Sequence, residues 1–262
     1  MDNEQFLQYL RDHALEEGYA YIQEHSAELS EHAAIGEVLA DEALRLLYSP
    51  FISLKLAELL IFYGEYVEHS SSHALGLKAK GDALMVIRHL QAAMRCLDAA
   101  GEEFLRLGDE GNWARSRISW IISAAWLGRV EEALQEAACA RDTFLRLGEP
   151  YWACVIDHNT AMIFDNIGQY QDALKLYESM RAAYASLSDQ SNISIKRSIA
   201  LAELNQAIDL ASLGNFEEAA SLLRQAHANF IALGETDPMI NAEVDLADLD
   251  YTQGYYGSAL RR

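Results

Sequence analysis

Three residue pairs in this chain have the spacing of reactive or metal-binding groups. His69 and His73, four apart in EHSSSH, would share one face of a helix, as two imidazoles holding a metal ion do. Cys154 and His158, also four apart, would pair a thiol with a base. Gly76 and Gly81 have the spacing of a phosphate-cradling loop. Each fails on its surroundings. The histidines flank a serine run that reads as a helix boundary and no third ligand accompanies them, no orienting acid recurs with the Cys–His pair, and Asp82 stands where the loop requires lysine. HExxH, CxxC and GxGxxG are absent. Glu131/Glu132 and Glu217/Glu218 are expected as solvated first-turn residues, where the helix dipole favours negative charge. We therefore expect no catalytic residue, no metal and no cofactor; the chain is not an enzyme on this reading.

Any such residues would have to be positioned by helices. Only 3 prolines occur in 262 residues, so long stretches can run unbroken. The glycines are periodic: Gly108, Gly128, Gly148 and Gly168 are 20 apart, and Gly214, Gly234 and Gly254 resume the step. Alternate glycines sit in LGRVEEA (127–133), IGQYQDA (167–173), LGNFEEA (213–219) and QGYYGSA (253–259); the others sit in FLRLGDE (104–110), FLRLGEP (144–150) and FIALGET (230–236). Between them apolar residues follow a helical period, as in Ala133, Ala137, Ala140, Phe144 and Leu147. Each segment is read as one amphipathic helix closed by a left-handed glycine. Ser188 takes the glycine place after Leu187, and about six extra residues lie between Leu187 and Asn205.

These marks resemble the tetratricopeptide repeat family. Its Gly, aromatic or aliphatic residue two later and Ala five later are matched by Gly128/Val130/Ala133, Gly168/Tyr170/Ala173, Gly214/Phe216/Ala219 and Gly254/Tyr256/Ala259. A weaker copy has Gly81, Leu90 and Ala93, with Arg88 replacing the turn glycine, and predicts helices over about 72–86 and 89–107. The resemblance implies an all-α, right-handed superhelical solenoid of antiparallel helix pairs. The expected organisation is an acidic helical cap over 1–70, with 14 acids against 3 bases, and about five repeats over 71–262: 72–108, 109–148, 149–188, 189–234 and an incomplete 235–262. Repeats of this length resemble those of bacterial signalling proteins, including ones joined to caspase-like CHAT peptidase domains and to transcriptional regulators. That suggests a chain continuing past Arg262 into an effector domain.

The family's inner wall comes from first helices, so the resemblance places candidate groove residues by offset from the turn glycine. They are Arg115, Ile118, Ser119, Ile122 and Trp126; His158, Asn159 and Met162; Leu204, Asn205 and Asp209; Asp245, Asp248 and Tyr251. Nine before the turn lie Ser119, Asn159, Asn205 and Asp245, poor helix formers at mid-helix. They read either as a ladder for the main chain of a bound peptide or as hydrogen bonds between repeats. Trp126 reads as a groove or a packing residue, Trp113 and Trp152 as packing. The net charge of −20 disfavours nucleic acid and membrane surfaces. The expected partner is a protein or peptide carrying basic residues, bound by a cytoplasmic scaffold; the alternative is a sensor arm of a longer enzyme or regulator. Cys96, Cys139 and Cys154 are read as reduced, packed thiols.

Overall fold

The computed structural model describes residues 3–29, 32–187 and 192–261, and every regular element in them is helical. Three helices open the chain: α1 (Asn3–Asp12), α2 (Leu15–His25), followed by a 3-10 turn, and α3 (His32–Arg45). Then come α4 (Pro50–Tyr66), α5 (Ser70–Val86), α6 (Leu90–Arg106), α7 (Glu110–Trp126), α8 (Val130–Arg146), α9 (Pro150–Asn166) and α10 (Tyr170–Ser186). All seven are 17 residues long. The chain continues through α11 (Ile193–Ser212), α12 (Phe216–Leu233), α13 (Thr236–Thr252) and the short α14 (Tyr256–Ala259). Because α11 has 20 residues, half of the six-residue excess lengthens that helix, and the other half lies between α10 and α11. Ser188, the expected turn residue there, lies outside the described residues.

The turns explain the regular step. At Gly108 and Gly128 the chain is left-handed, φ 73° and 80°, and the next N–H bonds back to the helix: Asp109 to the Phe104 carbonyl at 2.9 Å, Arg129 to that of Ala124 at 2.9 Å. The same closure appears without glycine. Glu68 and Arg88 hold φ 53° and 65°, while His69 donates to the Gly64 carbonyl at 2.8 Å and His89 to that of Leu84 at 2.9 Å. The ladder that glycine marks from Gly108 onward therefore runs two turns further toward the N-terminus, carried by side-chain residues at a steric cost.

Packing follows the repeat. Ala93, Ala133, Ala173 and Ala219 are fully buried, as expected of the small residue that lets paired helices meet. At Gly81 a Cβ would lie 2.5 Å from Leu97, so α5 and α6 approach closely there. Two compact units form, residues 1–143 and 144–262. In the first, α4 packs on α5, α5 on α6 and α6 on α7, while the alternate helices α3, α5 and α7 lie side by side. Phe6, Leu10, Ile22, Leu39, Leu56 and Tyr63 form its N-terminal core. In the second, α9 to α13 pack successively and α9, α11 and α13 lie side by side. A helix touching both its neighbour and the next but one is the mark of stacked helix pairs. No helix among the described residues is long and apolar enough to cross a membrane.

Glu68→Gly, which relieves a left-handed non-glycine residue, is expected to raise the unfolding free energy by about 0.5–1 kcal/mol after the added freedom of the unfolded chain is subtracted. Gly128→Ala should lower it by about 1–2 kcal/mol. Urea titrations followed by circular dichroism measure both; equal midpoints for Glu68→Gly and the parent would refute the strain assigned to that turn.

Candidate ligand-binding face

The pairs that suggested chemistry are engaged otherwise. His69 caps α5, its Nδ1 accepting from the Ser72 N–H at 3.2 Å. His73 lies 2.7 Å from Glu103 through Nδ1 and 3.5 Å from Glu65 through Nε2. No group of three His, Cys, Asp or Glu among the described residues is arranged to hold a metal. Cys154 is buried and Cys96 half-buried, but Cys139 is exposed, so the reading of all three thiols as packed fails at that residue. Cys139, the tenth residue of α8, is packed only if a neighbour covers its face, which periodicity alone does not say.

The groove candidates separate by burial. On α7, Ser119 is buried, Arg115, Ile118 and Ile122 are half-buried, and Trp126 is 38% exposed, with the Arg88 guanidinium 3.5 Å over its ring. On α9, Asn159 is buried and His158 and Met162 are half-buried. On α11, Leu204 and Asp209 are buried and Asn205 half-buried. On α13, Asp245 is half-buried while Asp248 and Tyr251 are exposed.

Three of these residues meet in one polar cluster in the second unit. Asn205 Nδ2 stands 3.1 Å from His158 Nε2, joining α11 to α9. Burial holds His158 down to about 4, so the ring is neutral at pH 7; a donating amide then makes Nε2 the acceptor and leaves the proton on Nδ1. The His158 ring meets Tyr177 of α10 edge-on at 5.8 Å. Next to it Asp209 is fully buried, and neither of its carboxyl oxygens has a hydrogen-bond partner. Burial, then the facing Asp165 carboxylate of α9, pushes Asp209 up to about 8, so it is largely protonated at neutral pH. The Tyr177 hydroxyl is likewise buried without a partner and is raised by burial and by both acids. Asp245 is raised by burial and by Asp248. Asp165 and Tyr177 escaped the sequence reading. Asp165 carried a signal, lying three residues before Gly168 on a first helix; Tyr177, on a second helix, carried none.

A second row was also missed. Eleven before the turn glycine stand Arg117, Asp157 and Glu203, ionisable residues that are 5%, 7% and 1% exposed. Arg117 reaches Asp98 at 3.2 Å and Glu136 at 3.5 Å, and donates to the Leu97 carbonyl. Glu203 accepts from Gln225 at 2.6 Å and Asn229 at 2.8 Å. Arg117 and Glu203 tie α7 and α11 to the second helices on either side. Their recurrence at one offset was the signal available in the sequence.

Asp209 binds its proton more tightly folded than unfolded, so its contribution to stability is present at low pH and is lost as pH rises from about 4 to about 8. His158 acts oppositely below its ordinary value, since the folded state resists protonation. Asp209→Asn should therefore gain stability over the parent between about pH 6.5 and 8, at a limiting slope of about 1.4 kcal/mol per pH unit. Urea midpoints at three pH values across that window measure it, and a constant offset would sink the assignment. Asn205→Ala leaves the buried His158 nitrogen without its partner and should cost about 1–3 kcal/mol in the same assay.

Comparisons with known proteins agree on architecture alone. No family model matches the chain, and no curated protein matches it in sequence. Among solved structures, aspartyl phosphate phosphatase F from Bacillus subtilis is 15% identical with a TM-score of 0.65, over 100% of this chain and 73% of that one. NprR in complex with its cognate peptide NprX is 15% identical, TM-score 0.62, over 98% and 74%. The TPR-like repeats of a putative kinesin light chain from Podosopora anserina are 16% identical, TM-score 0.57, over 79% and 100%. With successive and alternate helices packed and left-handed turns closing α4 to α9, this chain has the fold of the tetratricopeptide-type repeat proteins.

Proposed function

We propose that the chain is a non-enzymatic regulatory scaffold that binds a peptide or protein segment bearing Lys or Arg across α9, α11 and α13. One observation carries this reading. α9 and α13 contain no Lys or Arg, yet hold Asp165 on the one and Asp237, Glu243, Asp245, Asp248 and Asp250 on the other. The acids share these helices with exposed apolar groups, Ile208 of α11 at 37%, Val244 at 52% and Tyr251 at 65% exposure. A surface that mixes acid with unburied hydrocarbon, with Lys196 and Arg197 confined to the first turns of α11 and the latter paired with Glu235 at 3.0 Å, suits an amphipathic basic segment. A solved neighbour of the same fold is described in complex with its cognate peptide, which supports a peptide as the occupant.

The raised acids add a consequence. A bound cation favours the charged form of Asp245, which burial and Asp248 disfavour in the free protein. Asp248, exposed and three residues on, supplies attraction without desolvation.

Fluorescence anisotropy with labelled nine-residue peptides that alternate Lys with Leu, against versions with Gln for Lys, tests the proposal. The Lys peptides should bind and weaken steeply from about 0.1 to about 1 M salt, as the screening length falls from ~10 to ~3 Å. Asp248→Asn with Tyr251→Ala should weaken binding about ten-fold with no change in melting temperature. Equal binding of Lys and Gln peptides, or binding indifferent to salt, overturns it.

A further inference from the structure

The side of α11 turned away from the His158–Asn205 contact borders a cavity of about 460 Å3, within the size range of small-ligand sites. One end is hydrocarbon: Ile193 and Ile199 of α11 face Ala232 and Leu233 of α12. The other end is polar and is centred on Glu203, with Gln225 and Asn229 beside it.

The hydrogen bonds at that end fix what it can accept. Glu203 Oε1 receives Gln225 Nε2 at 2.6 Å, and Oε2 receives Asn229 Nδ2 at 2.8 Å. An ionised carboxylate only accepts, so both amides turn their NH2 groups toward it and keep their carbonyl oxygens as unused acceptors. The charge itself is poorly balanced. The Arg181 guanidinium stands 3.8 Å away and gives its shorter bond, 3.1 Å, to Gln206. Burial raises Glu203 above the usual carboxylate range despite that arginine. A site that offers two carbonyls and an under-compensated carboxylate, next to hydrocarbon, calls for a donor with positive charge on an apolar body.

We propose that the cavity between α11 and α12 binds a primary ammonium group carried on a phenylethyl-sized apolar body, the ammonium against Gln225, Asn229 and Glu203 and the hydrocarbon against Ile199 and Leu233. The ammonium belongs either to a free aralkylamine or to the amino terminus of a peptide. Lys196, exposed at the cavity's edge, is a like charge and adds nothing to this recognition. The site is independent of the proposed peptide face, since it uses the other side of α11.

The full chain is titrated with 2-phenylethylamine, with 2-phenylethanol and 3-phenylpropionate as neutral and anionic counterparts, and shifts of the side-chain amide resonances are followed by NMR. Saturable shifts are expected for the amine alone. Glu203→Gln, which keeps the shape and removes the charge, should weaken binding at least about ten-fold, equivalent to about 1.4 kcal/mol. Ala232→Trp, at an exposed position, plugs the hydrocarbon end without touching Glu203 and should abolish binding even if Glu203→Gln fails to fold. Lys196→Ala should bind the amine as well as the parent or better. Phe-Ala amide with a free amino terminus, compared with its acetylated form, separates the two sources: binding of the free form assigns a peptide terminus, and binding of phenylethylamine alone assigns a free amine. Absence of saturable binding by the amine, equal binding of the alcohol, or unchanged binding in Ala232→Trp overturns the proposal.

Discussion

The left-handed residue that closes α4 to α9 and α11 to α13 is the constraint on which the rest of this structure depends. Where a turn of fixed length separates 17-residue helices, as from α4 to α9, successive first helices keep the same angular face, because one hundred degrees per residue leaves no slack over 20 positions. Where glycine supplies the turn, the conformation is free of steric cost. Glu68 and Arg88 adopt it all the same, held by the six-residue bond to the preceding helix and, at Arg88, by the stacking of its guanidinium on Trp126. Packing of the helix pair outweighs the local penalty there. That is how a repeat can lose its most visible residue and keep its geometry.

Constant facing also explains the two rows of buried polar groups. On the side of a first helix that meets the second helices, the gap is spanned by long ionisable residues, Arg117 and Glu203, whose reach lets one side chain engage both neighbours by hydrogen bonds or ion pairs. On the opposite side, first helix meets first helix, and short groups suffice: Asn205 bridges directly to His158. The two rows differ in electrostatic balance. Arg117 has two carboxylates and a carbonyl around it, whereas Glu203 has amides and one distant guanidinium. Beside His158 the balance is poorer still, and the fold accommodates Asp209 by holding it protonated opposite Asp165.

Charge at the face formed by α9, α11 and α13 is therefore set by burial as much as by composition. An overall charge of −20 would suggest uniform repulsion of anions. Yet Asp209 and Asp245 are both shifted toward their neutral forms, while Asp248 stands exposed three residues away. Buried Asp209 therefore adds little negative charge to this face, whereas exposed Asp248 presents its carboxylate to solvent.

Helix boundaries, the alternating turns and the pairing of helices were legible in the amino-acid sequence, because each is encoded within a few residues: an apolar stripe, a glycine, and an alanine five positions on. Residues far apart in the chain decided the rest. Asn205 and His158 are 47 positions apart, and the sequence does not say which group the asparagine amide meets; the stacking of α11 on α9 brings it to the imidazole. The same stacking buries Asp209 against Asp165 and Tyr177, and burial, which belongs to the assembled helices rather than to the aspartate, determines whether that group carries a charge.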